Sequence, residues 1–180
     1  IESKKRLVFD ELFLLQIKFL LRKRKRNKNV IDKQLPQKKS LLKEFLKTLP
    51  FELTKSQANV LNEIKKDLSN PEPMSRLLQG DVGSGKTIIA IASLLIVVEK
   101  NLQGAFMVPT EVLAEQHYKN LLNYLNPLFV SVELLTGNTT QKKRKEILAK
   151  LNNGLVDILV GTHALFEDKV IFNSLGMVVR

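Results

Sequence analysis

One segment of the sequence has the residue types and the spacing that bind nucleotide phosphates. It reads Gly80-Asp81-Val82-Gly83-Ser84-Gly85-Lys86-Thr87 and fits the pattern G-x-x-x-x-G-K-[ST] at every position. Glycines let backbone N–H groups turn towards phosphate oxygens, the lysine ammonium binds the β- and γ-phosphates, and the threonine hydroxyl ligates Mg²⁺. The segment therefore predicts a triphosphate site with Lys86 and Thr87 as the catalytic pair. A dinucleotide fingerprint is excluded because Ile88 stands where a third glycine is needed.

Thr54 and Gln57 lie upstream of this phosphate loop and allow two interpretations. The spacing T-x-x-Q is typical of a capping box, in which each side chain bonds the backbone N–H of the other residue at a helix start. A glutamine amide also carries the acceptor and the donors that complement the edge of adenine. The sequence leaves both roles open.

Three further loops are predicted to follow strands, and each carries a threonine. They are Pro109-Thr110-Glu111, Thr136-Gly137-Asn138-Thr139 and Gly161-Thr162-His163. With the phosphate loop, they should crowd the carboxyl edge of a parallel sheet, where such sheets bind ligands. A hydroxyl beside a glycine or a helix start suits contact with phosphate oxygens. Each loop alone could equally be a helix cap or a tight turn.

A cluster of cations begins a predicted helix, in the run Gln141-Lys142-Lys143-Arg144-Lys145. The helix macrodipole disfavours positive charge at this end. A nearby anion would relieve that conflict, which makes Lys142, Lys143 and Arg144 candidate DNA-binding residues. A solvated helix start is the alternative.

Hydrophobic patterning predicts the elements that position these residues. Strands are predicted over 75–79, 104–108, 130–135, 156–160 and 175–179. Helices are predicted over 4–21, 41–49, 55–68, 86–100, 111–125 and 140–153, and Gly154 should cap the last of them. The strand–helix alternation from residue 74 onward predicts an α/β fold with a parallel sheet and flanking helices.

The basic charge lies in the N-terminal arm. Residues 1–50 hold 15 Lys/Arg and 5 Asp/Glu, whereas the remainder holds 14 and 13. We therefore predict a basic helical arm over 1–50 and a globular body over 51–180. The run from Arg22 to Lys28 could neutralise DNA phosphates or be a solvated helix end. The apolar face of the first helix, from Val8 to Phe19, should pack against other apolar surface.

Composition excludes several classes of protein. The chain has no cysteine and two histidines, so a disulfide framework and a cysteine-based zinc site are excluded. The longest apolar run, Ile88 to Val98, is well short of the roughly 20 residues that cross a bilayer. We expect a cytoplasmic protein without membrane contact, in which any metal ion arrives with a ligand.

Five segments carry a family resemblance through their residues and their order. They are Leu49-Pro50-Phe51-Glu52-Leu53-Thr54 with Gln57, Pro73 to Thr87, Val108 to His117, Leu134 to Gly137, and Val160 to Phe166. These segments resemble the successive helicase motifs of the RecG family of bacterial ATP-dependent DNA helicases. The arm from Arg6 to Arg22 resembles the helix that follows the DNA-wedge domain of that family.

The resemblance implies a RecA-like P-loop NTPase domain that uses ATP and Mg²⁺. It also implies a monomeric translocase on branched double-stranded DNA, which reverses forks and migrates Holliday junctions in recombination and repair. Thr54 and Gln57 match the adenine-contacting motif, and Gly80 to Thr87 match the Walker A loop. The positions that match DNA-backbone motifs are Thr110, Thr136, Gly137 and Thr162. The transcription–repair coupling translocase is a near relative and an alternative within this class.

The sequence also departs from the family. In the family, the strand that corresponds to Leu175–Val179 continues into an Asp-Glu pair that holds Mg²⁺ and activates the attacking water, whereas this sequence stops at Arg180. The wedge domain and the second motor domain with its arginine fingers have no counterpart here. We therefore expect an incomplete sheet and an isolated chain that is not catalytically competent. A non-catalytic DNA-binding protein with a vestigial nucleotide site is the alternative from another class.

Overall fold

The computed structural model describes residues 2–26 and 40–180, with the side chains of 4–21 and 40–180. The described residues form two compact units. The smaller holds α1 (Glu2–Arg26) and residues 66–77, and the larger holds residues 40–65 and 78–180. The side chains of the basic run from Arg22 to Lys28 lie outside the described residues, as does the segment 27–39. The predicted domain boundary at residue 50 stays a prediction.

The larger unit is built on a four-stranded parallel sheet in the order β2-β3-β1-β4. The strands are β1 (Gln103–Met107), β2 (Val132–Leu135), β3 (Ile158–Gly161) and β4 (Leu175–Val179). The helices of the chain after α1 are α2 (Leu41–Thr48), α3 (Lys55–Asp67), α4 (Lys86–Glu99), α5 (Glu111–Leu125) and α6 (Gln141–Asn152). The α/β fold class, with its parallel sheet and flanking helices, is confirmed.

Helix α4 forms the centre of the core because its sequence is apolar on every side. Ile91, Leu94 and Leu95 are fully buried. Gly104 of β1 allows α4 to approach the sheet closely, since a Cβ atom at residue 104 would lie 2.5 Å from Leu94 Cδ2. The faces of a parallel sheet are normally both covered, and α4 covers one face of β1.

A second cluster of buried side chains lies between α6 and the sheet, formed by Leu135, Ile147, Leu151, Val156 and Leu159. Gly154 ends α6 as predicted. Its φ of 73° is in the left-handed region, and its N–H donates to Leu151 O at 3.1 Å. A glycine adopts this conformation without the strain that a side chain would add.

Helix α2 also packs in the larger unit, although it was predicted as part of the arm. The Phe45 ring is completely buried and meets the Tyr124 ring edge to face at 5.9 Å. The backbone N–H of Leu42 donates to Glu99 Oε1 at 2.8 Å, so the end of α4 caps the start of α2.

The predicted strand over 75–79 is wrong, because Ser75–Gln79 adopts no strand geometry in the structure. Leu77 is 81% exposed, so this run does not bury the apolar face that a strand in a sheet buries. The Arg76 side chain pairs instead with Asp67 at 2.8 Å, at the end of α3. The segment serves as an irregular connection from α3 to the phosphate loop.

Helix α1 is confirmed and is longer than predicted, but its apolar face is exposed. Val8, Leu12, Leu15 and Phe19 are between 47% and 56% exposed. The expected burial of this face is therefore wrong for the described residues. Within its own unit, α1 is accompanied by the segment 66–77, whose large apolar residues are Leu68, Met74 and Leu77. No helix in the described ranges is long and apolar enough to cross a membrane.

Candidate nucleotide site and strand-end loops

The phosphate loop turns sharply into α4 because two of its glycines adopt positive φ. Gly83 has φ 82° and Gly85 has φ 83°, and the Ser84 N–H closes a turn onto Asp81 O at 3.2 Å. Gly85 is the N-cap of α4, and no side chain caps this helix. The first N–H groups of α4 are therefore open to an anion, and the first turn carries no acidic residue to oppose one.

The Lys86 ammonium is held over the loop by the loop's own carbonyl groups. Nζ donates to Gly80 O at 2.8 Å and to Asp81 O at 2.6 Å. An ammonium has three N–H donors, so one donor is left for a phosphate. Thr87 follows in the first turn of α4, and its predicted role as a magnesium ligand stays a prediction. These residues fit a magnesium nucleotide.

Gln57 connects the start of α3 to the phosphate loop. Its Oε1 accepts from Thr54 N at 2.9 Å, and its own N–H donates to Thr54 Oγ1 at 3.2 Å, so the capping box is confirmed. In addition, Nε2 donates to Ser84 O at 2.9 Å. The amide keeps one N–H and one lone pair, so the predicted adenine contact stays a prediction that the geometry permits.

A cavity of about 560 Å³ lies in the segment that leads into Thr54. It is open to solvent, and its lining is apolar apart from Lys47 and Glu52. Phe51 lies in this lining and is 47% exposed. A partly exposed aromatic side chain in such a groove could stack against a planar base. Phe51 is not among the candidate site residues predicted from the sequence. The only signal in the sequence is the pair Pro50-Phe51, which stands three residues before the capping box begins at Thr54.

The three threonine-bearing loops start from strand ends that lie side by side. Met107 of β1 pairs with Gly161 of β3, and Leu135 of β2 pairs with the same glycine. Because the strands are parallel, the segments that follow them leave from one edge of the sheet. Helix α4 ends four residues before β1 begins and packs on β1, so its first turn points towards this same edge.

Two threonine hydroxyls in these loops, those of Thr110 and Thr139, accept local backbone hydrogen bonds. Thr110 caps α5, with Oγ1 accepting from Leu113 N at 3.4 Å. Thr136 is 6% exposed, and its N–H donates to Thr139 Oγ1 at 3.0 Å. Thr162 is 8% exposed and begins a 3-10 turn. Gly137 in these loops is exposed, and the Glu111 carboxylate lies beside it. The predicted DNA-backbone contacts of the threonines and of Gly137 stay predictions.

The cations at the start of α6 separate into two kinds. Arg144 is mostly buried, with its guanidinium 2.5 Å from Glu167 Oε2 and donating to Thr136 O at 3.5 Å. Its charge is therefore already paired, and it supports the Thr136 loop. Lys142 and Lys143 are exposed and have no ion-pair partner in the part of the chain that the structure describes. The charges of these two lysines are therefore unpaired among the described residues, and their predicted DNA contact stays a prediction.

His117 of α5 lies against the sheet rather than in a loop. Its ring is 5.0 Å from the Phe106 ring, and burial lowers its pKa. Its Nδ1 is buried without a hydrogen-bond partner among the described residues. Over those residues, no group of three or more His, Asp or Glu side chains could hold a metal ion.

Comparison with known proteins gives one matching family and several close relatives. The family described as DEAD/DEAH box helicase matches residues 54–180. The chain is 48% identical to ATP-dependent DNA helicase RecG of Synechocystis over 98% of its length, and 46% identical to that of Bacillus subtilis over 98%. It spans 21% and 26% of those two relatives, so it corresponds to about a quarter of their length.

Two solved structures resemble the fold. A structure of RecG bound to a three-way DNA junction is 42% identical, with a TM-score of 0.87 over 97% of this chain and 24% of that one. A hypothetical ATP-dependent RNA helicase from Sulfolobus tokodaii is 18% identical, with a TM-score of 0.55 over 78% of this chain and 40% of the other, which supports the fold alone. The comparisons confirm the predicted resemblance to RecG and the RecA-like domain.

Proposed function

The chain belongs to the DEAD/DEAH box helicase family. We therefore propose that it binds magnesium ATP and acts as part of an ATP-dependent DNA helicase of the RecG kind. The observation that carries this proposal is the phosphate loop with its tie to Gln57. Two positive-φ glycines, an uncapped helix start and a lysine ammonium converge on one anion site. Backbone donors, a helix dipole and a cation in this arrangement bind triphosphates.

In this proposal each part of the site has a separate task. The loop N–H groups and Lys86 bind the β- and γ-phosphates, and Thr87 joins those phosphates in holding Mg²⁺. The cavity beside Phe51 receives the base, whose edge meets the remaining donor and acceptor of Gln57. Because Gln57 also holds Ser84 O, a base that moves this amide would act on the phosphate loop directly.

The substrate in this proposal is branched double-stranded DNA. The relative of known structure was solved with a three-way junction, and the strand-end loops here present backbone groups and the lysines Lys142 and Lys143. Fork reversal and Holliday junction migration belong to the proposal, because the chain spans about a quarter of its relatives. In this proposal the protein acts in the cytoplasm as a monomer.

The test is a calorimetric titration of the 180-residue chain with magnesium ATP, followed by hydrolysis assays with and without forked DNA. We expect Lys86→Ala to lose at least tenfold in affinity, because it removes the phosphate contact and the ammonium that holds the loop. Lys119→Ala is the matched control, since it removes an exposed lysine of α5. Equal affinities for the unchanged chain and Lys86→Ala would refute the nucleotide assignment.

The same experiment separates a second function class. If the unchanged chain takes up no nucleotide but binds forked DNA, the non-catalytic DNA-binding alternative replaces the proposal. DNA binding should weaken as salt rises, with a log–log slope of about 0.9 for each phosphate neutralised. A binding constant that does not respond to salt would contradict a phosphate contact by the loops.

A further inference from the structure

Glu111 forms a contact that the nucleotide site does not use. It is the first residue of α5, directly after the helix cap Thr110. Its Oε1 accepts from the backbone N–H of Asn138 at 3.2 Å, and its Oε2 accepts from the Asn138 side-chain amide. Both carboxylate oxygens therefore bind one residue of the loop that follows β2.

The shape of the loop fits this carboxylate. A Cβ atom on Gly137 would lie 3.0 Å from Glu111 Oε1, which is tighter than an ordinary van der Waals contact. The absence of a side chain at residue 137 thus lets the carboxylate lie flat against the loop. Charged acceptors form stronger hydrogen bonds than neutral ones, so the carboxylate contributes to holding the loop in place.

The other end of the same loop is held by its own residues and by α6. The Thr136 N–H donates to Thr139 Oγ1 at 3.0 Å, and the Arg144 guanidinium donates to Thr136 O at 3.5 Å. Glu111 supplies the connection to a different element, because it belongs to α5 and to the loop after β1. It joins two loops that leave neighbouring positions at one edge of the sheet.

We propose that Glu111 is a positioning residue for DNA binding, which locks the Thr136–Thr139 loop to the start of α5 so that the two loops contact one DNA backbone as a rigid pair. This inference rests on the proposed function. An isolated carboxylate at a DNA-facing edge would repel phosphates. Here its oxygens accept hydrogen bonds from Asn138, and its benefit is the loop geometry that it fixes in advance of binding.

The test compares Glu111→Ala and Glu111→Gln by fluorescence anisotropy with a labelled forked duplex. A glutamine at residue 111 keeps an oxygen that accepts from the Asn138 backbone N–H. Its side-chain NH₂ can donate to the Asn138 side-chain oxygen once the Asn138 amide group rotates by half a turn. We expect Glu111→Ala to weaken DNA binding about fivefold, as loss of pre-organisation costs on that order, and Glu111→Gln to bind at least as well as the unchanged chain. Magnesium ATP affinity should be the same in all three proteins.

The control is Glu115→Ala, which removes an exposed carboxylate one turn further along α5 without touching the loop. If charge repulsion alone determines the DNA affinity, Glu111→Ala, Glu111→Gln and Glu115→Ala all strengthen DNA binding, and the proposal is overturned. Equal affinities for the unchanged chain and Glu111→Ala overturn it as well.

Hydrogen exchange separates this inference from the proposed function. The backbone N–H of Asn138 should exchange at least tenfold faster in Glu111→Ala, while the amides of α5 beyond its first turn stay protected. Unchanged exchange at Asn138 would show that Glu111 does not hold the loop. If the unchanged chain fails to bind forked DNA at all, the proposed function fails, and the DNA role of Glu111 fails with it.

Discussion

Replacing Gln103 by leucine tests how the base of the sheet is held together. Gln103 is the first residue of β1 and is 4% exposed. Its Nε2 donates to Leu151 O at 3.0 Å and to Val156 O at 2.7 Å, and its Oε1 accepts from Ser174 N at 3.0 Å. One side chain thus connects the end of α6, the approach to β3 and the approach to β4.

The expected cost follows from these three bonds. A net contribution of about 1 kcal/mol for each buried hydrogen bond gives roughly 3 kcal/mol for the free energy of unfolding. Leucine is close to glutamine in volume, so no cavity needs to be added. For a chain of this size, about 2–4 °C per kcal/mol converts the loss to roughly 6–12 °C in melting temperature.

Circular dichroism in urea is the suitable assay, because the chain has no tryptophan. We expect Gln103→Leu to lower the urea midpoint of unfolding. The dependence of the unfolding free energy on urea concentration should stay unchanged, which indicates lost stability rather than an altered unfolded state. Gln116→Leu is the control, since Gln116 is exposed on α5. A loss below about 1 kcal/mol for Gln103→Leu would refute the net contribution of about 1 kcal/mol assigned to each bond.

Two further substitutions test the phosphate loop and the buried histidine. Gly83→Ala and Gly85→Ala should each lower the free energy of unfolding by about 1–2 kcal/mol, because each glycine has a positive φ that alanine adopts at a cost. Gly85→Ala should weaken nucleotide binding about tenfold more than Gly83→Ala, since a Cβ at residue 85 would displace the Gln57 amide, whereas the space around Gly83 is open. Equal ATP affinities of the two variants in a calorimetric titration would contradict this coupling. Burial holds the pKa of His117 below its ordinary 6.5, so the unfolded chain binds a proton more readily and stability falls as the pH drops below about 6.5. His117→Phe should therefore narrow the difference in melting temperature between pH 7.5 and pH 5.5, and an unchanged difference would rule His117 out as its source.

The features that the sequence predicted well are those fixed by neighbouring residues. The glycines of the phosphate loop and Gly154 permit conformations with positive φ that other residues adopt at a cost, so the turns follow from residue type. The capping box depends on residues three positions apart, and it formed as predicted. Apolar runs with helical or alternating periodicity located the four strands of the sheet and the helices around them.

The errors arise where a pattern depends on distant partners. Ser75–Gln79 has the composition of a strand, but Leu77 is exposed and Arg76 pairs with Asp67. The apolar face of α1 has a regular helical period, yet the period alone does not supply a surface to cover it. The Glu111–Asn138 contact, across 27 residues, could not be found either, since it exists only after the sheet has placed two loops side by side.

Gln57 shows why the two interpretations of one residue need not compete. The capping box uses the side-chain acceptor of Gln57 and its backbone N–H, and the phosphate loop uses one of the two amide donors. A nucleobase requires the remaining donor and a free lone pair, which neither contact occupies. The cap fixes the amide at one end and Ser84 fixes it at the other. A base would therefore meet a glutamine that is already oriented, because the same side chain caps the start of α3 and contacts the phosphate loop.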